Sequence, residues 1–323
     1  MRRARPLVIA FMLALVLAPA AMAHDVGEVD HTDTPADLAG ADINRTLAVA
    51  AIAGGARVSA DLPQFLPTTW CGTRLTADDT AHAAFASSLK QIKVVYAYAF
   101  GEADNSVQWR DALQANVSRI EQYLTLQTGG RRALRFDMGT QCGPQYVDIQ
   151  VVELPHTRDY YLDDFYAVAD DARDAVGHDS RDVFVLADNL TAGFKGVYGT
   201  GEVVPTDDRA DAANVHNQGD MTGILWTLAD TDPDPTGWQP TVMLHEITHN
   251  LGAVQWSAPH TTHPPGELTG TYSHCWDGQD VMCYADGPAM VHAYVPTVCP
   301  LGNGPIPQTY DCGRDDYFNP DPP

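Results

Sequence analysis

Two histidines four residues apart, His245 and His249, with Glu246 directly after the first, are the residues of this chain best suited to chemistry. On a helix, side chains at i and i+4 lie one above the other, so both imidazoles can reach one metal ion. Glu246 is rotated by about 100° from His245, which lets it serve a metal-bound water without being a ligand. Two neutral imidazoles on Zn²⁺ with a carboxylate beside the water is how H-E-x-x-H helices hydrolyse peptide bonds. The plain alternative is a solvated helix with two incidental histidines. Three features weigh against it. Thr241–Leu244 is mostly apolar and suits a buried helix; Gly252 can end the helix and turn the chain back toward the metal; and Asp280-Val281-Met282-Cys283-Tyr284 supplies a methionine in a tight segment.

The elements that must hold this helix lie upstream. Lys93–Ala99 is predicted as a strand from its β-branched and aromatic content. Asn105–Leu126 is predicted as an amphipathic helix, with Trp109, Leu113, Val117, Ile120 and Leu124 at three- and four-residue spacings. Leu134–Met138 and Tyr146–Val152 alternate as strands, and a second helix is expected over Asp159–Val176. Asp182–Ala187 is nearly continuous in apolar residues, as a buried parallel strand would be. Gly196–Gly201 reads as a short edge strand weakened by glycine, and Pro205–Pro240 as loop. Strands alternating with helices predict an α/β fold: a twisted, mostly parallel sheet with the metal-site helix packed against it. No internal repeat is present.

Residues 1–23 read as a secretory signal: Arg2, Arg3 and Arg5, an apolar run from Pro6 to Leu17, and an A-x-A site at Ala21-Met22-Ala23. The run is short for a membrane span, and no second apolar stretch of about 20 residues follows. The expected product is exported and soluble, with no membrane association after signal cleavage. Residues 24–65 form an N-terminal extension or pro-segment of weak periodicity, and residues 66–323 one domain. No cysteine lies in 24–65 to act as a zinc-blocking thiolate; His24 at a new N-terminus could chelate copper through its amine and ring, but an accident of signal processing is the simpler reading. Formal net charge is −23, or −26 without the three signal arginines, which excludes nucleic acid as a partner. Asp230–Asp234 and Asp315–Asn319 make calcium a further candidate cofactor, although neither is an EF-hand loop and a solvated surface is the simpler reading. Six cysteines in an exported chain suggest three disulfides with 15 possible connectivities. Cys71 and Cys142 are candidates to pair. Cys275, Cys283, Cys299 and Cys312 would pin an irregular, disulfide-rich C-terminal subdomain, and their spacings are poor for a cysteine-only zinc site.

The chain resembles the metzincin zinc metalloproteases through H-E-x-x-H-x-x-G at His245, Glu246, His249 and Gly252, and a Met-turn at Met282. His249-Asn250-Leu251-Gly252 looks like the reprolysin branch, while Met282-Cys283-Tyr284 is similar to the astacin and serralysin turn. The stretch from His245 to Phe318 looks like secreted actinobacterial metzincin-like proteases, with Ala258-Pro259-His260, His274-Cys275 and Cys312–Phe318 as landmarks. The departure is at the tenth position after His245, where most metzincins place a third histidine and this chain has Gln255. If the site is complete, the third ligand must come later, from His274, His260 or His263; the remaining alternatives are an aspartate or no third ligand. His274 is favoured because it precedes Met282 by eight residues, the interval seen in matrix metalloproteases; His260 is the runner-up. A Cys275–Cys283 bridge would shape the loop. The resemblance implies that Met282 floors the site and that Tyr284 stabilises an oxyanion or adds a zinc ligand, a packed core tyrosine being the alternative.

The function these residues predict is a secreted zinc-dependent endopeptidase acting on protein or peptide substrates, with Glu246 moving the proton. Gly196–Val203 could pair with an extended substrate. Two other readings are a catalytically silent binding protein, suggested by Gln255, and a zinc amidase acting on peptidoglycan.

Overall fold

Alternation of side chains along β-rich segments divides the core into two halves, one on each face of a sheet. The computed structural model describes residues 91–127, 134–140, 142–162, 164–177, 182–190, 199–226, 240–264, 266, 273–276, 280–283, 309–314 and 316–317. In chain order the elements are β1 (Ile92–Tyr98), α1 (Ser106–Gln127), β2 (Met138–Thr140), β3 (Gly143–Val147), β4 (Ile149–Glu153), α2 (Arg158–Tyr161), α3 (Phe165–Val176), β5 (Asp182–Asp188), β6 (Gly199–Gly201), β7 (Thr222–Trp226) and α4 (Pro240–Asn250). A five-stranded sheet has the order β4-β1-β5-β7-β6. Its first four strands are parallel, and β6 closes one edge antiparallel to β7.

Every residue of β1 is buried. Val94, Tyr96 and Tyr98 point to one face with Phe184, Leu186 and Leu225, under Leu113, Val117 and Ile120 of α1 and Met243, Leu244 and Ile247 of α4. Val95 and Ala97 point to the other with Val183, Val185 and Ile224, under Val168, Ala172 and Val176 of α3. Helices on both faces of a mostly parallel sheet are the α/β architecture expected from the alternating elements. The helix carrying His245 lies on the first face, against β6 and β7. No helix among the described residues is long and apolar enough to cross a membrane.

Four expectations need correction. Leu134–Met138 is not a strand: Phe136 makes a single bridge to Ile92, and pairing resumes in a separate β2–β3 hairpin. Tyr146–Val152 is two strands, not one. The Gln114 side chain takes both the N–H and the C=O of Val147 (2.9 and 2.8 Å), and the chain changes sheets at Asp148, which receives the buried Lys93 ammonium at 2.7 Å. The helix expected over Asp159–Val176 breaks into α2 and α3, because the Asp164 carboxylate caps the Ala167 N–H at 3.0 Å and starts a new helix. Finally, the loop expected between Pro205 and Pro240 contains β7, a five-residue strand buried throughout. Residues 1–90, with the signal, the extension and Cys71, lie outside the described residues, as do 196–198, 230–234, 284 and 299.

Candidate metal centre

Pro240 opens α4, where its missing N–H would have had no partner anyway. Met243, Leu244 and Ile247 anchor one side of the helix in the core. The stop is glycine-dependent: Gly252 has φ +106° and its N–H returns to the His249 carbonyl at 2.8 Å. A Cβ there would lie 2.9 Å from Nδ1 of His216. That buried ring receives the Val204 N–H on Nε2 (2.9 Å) and gives its Nδ1 proton to Asn214 Oδ1 (2.8 Å), which makes it neutral. Burial lowers its pKa from the ordinary 6.5, with Asp207 partly opposing.

His245 and His249 project from successive turns with their Nε2 atoms 3.1 Å apart, and His274 brings its Nε2 to 3.2 Å from each. The three rings are a possible zinc site. Their reverse sides decide the chemistry. Nδ1 of His245 lies 2.7 Å from the Val281 carbonyl, and Nδ1 of His249 lies 2.7 Å from the Ala253 carbonyl. A carbonyl only accepts, so each Nδ1 carries a proton, and in the neutral ring each Nε2 then presents a bare lone pair inward. Such lone pairs crowded together in a buried place repel unless a cation lies between them. Tetrahedral nitrogens at the usual Zn–N distance of about 2.0–2.1 Å stand roughly 3.3–3.4 Å apart, close to what this triangle offers. The donor set therefore fits zinc.

His274 is placed by an irregular mesh that sequence periodicity does not reveal. Thr262 N–H donates to the His274 carbonyl (2.8 Å), Trp276 N–H to that of His260 (3.0 Å), and Val254 N–H to that of Ser273 (3.0 Å). A disulfide joins Cys275 to Cys283, tying the residue after His274 to the residue after Met282. Met282 is fully buried. Cys275, Asp280 and Cys283 also converge, but the two sulfurs are consumed in that disulfide and leave no thiolate for a metal. Cys142 is disulfide-bonded as well.

The other candidates lie elsewhere. His260 faces Asp316, which takes its backbone N–H at 3.1 Å and lies 3.4 Å from its Nδ1; the ring is not part of the triangle. His263 stacks on Trp256, centroids 3.8 Å apart. Tyr284 lies outside the described residues. Of the two acidic stretches considered for calcium, 230–234 lies outside them too, and in the second Asp316 turns inward to His260.

Glu246 is 4% exposed and packs against β6. A Cβ on Gly199 would lie 2.8 Å from both Cγ and Oε1 of Glu246, and one on Gly201 would lie 2.8 Å from Cβ of His249 and closer still to the Glu246 carbonyl. A Cβ on Gly223 would lie 2.7 Å from Asn250 Oδ1. Three glycines thus let α4 lie directly on the sheet edge. Sequence reading passed over this role, yet Gly199-Thr200-Gly201 holds the signal: period two puts both glycines on one face of the strand.

No family model matches the chain, and no curated protein matches it. Among solved structures it is similar to Archaemetzincin from Methanopyrus kandleri, at 16% identity over 61% of this chain and 82% of that one, with a TM-score of 0.30. It is also similar to catalytically inactive OgpA from Akkermansia muciniphila, solved with an O-glycopeptide (glycodrosocin) substrate, at 14% identity and a TM-score of 0.30. That match covers 50% of this chain and spans about half of OgpA, 48%.

Proposed function

We propose that this protein is a zinc-dependent peptidase of the metzincin kind, secreted through its N-terminal signal and acting within protein or peptide chains. One observation carries the reading: three imidazole Nε2 atoms meet at 3.1–3.2 Å, and backbone carbonyls hold the Nδ1 protons of two of the rings on the side away from that meeting point. His245, His249 and His274 would hold the metal. Zinc bound there supplies Lewis-acid polarisation of a carbonyl and brings the pKa of water toward neutrality.

The chain's own groups do the rest. The Val281 and Ala253 carbonyls fix ring orientation and make the opposite nitrogens more basic. Glu246, next to His245 on the helix and walled by Gly199, takes a proton from the attacking water and delivers it to the leaving amine. Tyr284, two residues beyond Met282, stabilises the oxyanion. At the sheet edge, β6 accepts an extended peptide by strand pairing, which sets the scissile bond over α4.

Glu246→Gln tests the assignment. It should retain one zinc per chain and lose cleavage of a denatured protein substrate by about 10²–10⁴-fold. Cleavage within threefold of the parent would remove Glu246 as the base. Activity on purified cell wall but not on protein would redirect the reading to an amidase.

A further inference from the structure

Behind the metal centre runs a chain of buried hydrogen bonds that the proposed chemistry does not use. Asp280, Asp311 and Asp316, 4%, 2% and 3% exposed, are its three carboxylates, and Asp311 Oδ1 receives the Asp316 N–H at 3.0 Å. Asp280 Oδ1 receives the Met282 N–H at 2.7 Å and the Tyr317 hydroxyl at 2.6 Å. The same hydroxyl oxygen accepts the Asp311 N–H at 2.8 Å, so the phenol is both donor and acceptor with no freedom to rotate. Residues 309–311 also run beside the turn, with Val281 N–H donating to the Thr309 carbonyl at 2.9 Å. The Val281 carbonyl, on the opposite side of that residue, holds Nδ1 of His245.

Two more contacts tie the same segment to the ligand-bearing elements. Thr248, between the two helix histidines, spends its proton on the Leu244 carbonyl (2.6 Å), so the Tyr310 hydroxyl must be the donor in their 2.9 Å contact. Tyr310 meets Tyr317 edge-on, centroids 5.3 Å apart. Asp316 holds the His260 N–H, and His260 in turn pairs with Trp276, two residues past His274.

We infer that Tyr317 is a positioning residue of the metal centre: through Asp280 it fixes the turn whose Val281 carbonyl orients His245. The inference rests on the proposed zinc site. Burial first, then the Asp280 carboxylate, push the Tyr317 hydroxyl well above the ordinary phenol range, so it remains a donor throughout the working pH. Partners that orient a ligand ring from behind typically change metal affinity by about 10–100-fold when lost.

The test is zinc affinity of the full chain, measured by competition with a chromogenic chelator well below the melting temperature. Tyr317→Phe keeps the ring against Tyr310 and removes only the hydroxyl. It should bind zinc about 10–100-fold more weakly, with kcat reduced more than KM is changed. Tyr310→Phe is the matched comparison: it removes the hydroxyl bonded to Thr248 on the ligand-bearing helix but leaves the Asp280 turn intact, and its zinc affinity should fall by less than that of Tyr317→Phe. Asp280→Asn, which removes the charge drawing both donors, should shift affinity in the same direction as Tyr317→Phe. Unchanged affinity in Tyr317→Phe or Asp280→Asn, or an equal loss in Tyr310→Phe, overturns the inference while leaving the peptidase reading standing. A parent chain that binds no zinc brings down both, and that result is seen before any variant is compared.

Discussion

Replacing Gly199 by alanine places a methyl group against the carboxylate proposed as the base. The new Cβ would stand 2.8 Å from Oε1 and Cγ of Glu246 and 2.5 Å from Cδ2 of Leu225. Ordinary contact needs roughly 3.5 Å, so the carboxylate must retreat by about 0.7 Å or more. Gly199 does not have positive φ, so alanine meets no backbone penalty and the space alone sets the cost. Both neighbours are ends of side chains, so the fold can yield at a cost of about 1–3 kcal/mol. Misplacement of a catalytic group by about 1 Å can cost 10²-fold in rate. The expectation is a kcat/KM about 100-fold below the parent on a fluorogenic peptide, with one zinc per chain still bound. The partner substitution, Gly201→Ala, behaves differently because its Cβ meets the Glu246 backbone carbonyl and Cβ of His249. Backbone cannot swing aside, so stability falls and metal is lost with it. If Gly199→Ala retains activity within threefold, or loses zinc together with activity, the packing of β6 on Glu246 does not control catalysis as argued.

Two further expectations concern pH. Burial pushes Glu121 up to about 7, with a backbone hydrogen bond at Leu134 partly opposing. A folded-state pKa above the unfolded one stabilises fully below about 4.5, and that contribution is gone once pH passes about 7. Glu121→Gln should therefore raise stability at pH 8 by on the order of 2 kcal/mol and leave it nearly unchanged at pH 4.5, as read by urea midpoints; equal shifts at both would refute the assignment. His216 has the opposite sign: its folded pKa is depressed, so its contribution is present above 6.5 and is lost as pH falls below that value. His216→Gln should flatten the acid side of the stability profile of the metal-loaded protein while costing about 1–2 kcal/mol at neutral pH, and an unaltered profile would show that the ring is not held neutral under Gly252.

The sheet was legible wherever local preference and tertiary burial agree. β1, α1 and β5 fall within a residue or so of the expected segments because each is long and uniform in pattern. β7 escaped because five residues including Thr222 and Gly223 carry too little pattern to stand out from loop; neighbours on both sides, not local preference, make it a strand. At the site, the two helix rings and Glu246 follow from spacing alone. His274 could be favoured over His260 only through a family interval, since its position depends on long-range contacts with Thr262, Cys283 and Val254 that no local pattern encodes. His216, Asp280 and Tyr317 were invisible for the same reason: each does its work through a hydrogen bond to a residue distant in sequence or lodged under a turn.

The ligand set of the metal is the point on which all of this turns. X-ray absorption at the zinc edge, on the parent and on His274→Ala and His260→Ala variants, measures it directly. The account predicts three imidazole nitrogens at about 2.0–2.1 Å in the parent, one fewer in His274→Ala, and no change in His260→Ala. Loss of an imidazole in His260→Ala with none lost in His274→Ala, or a parent chain that holds no zinc, would contradict it.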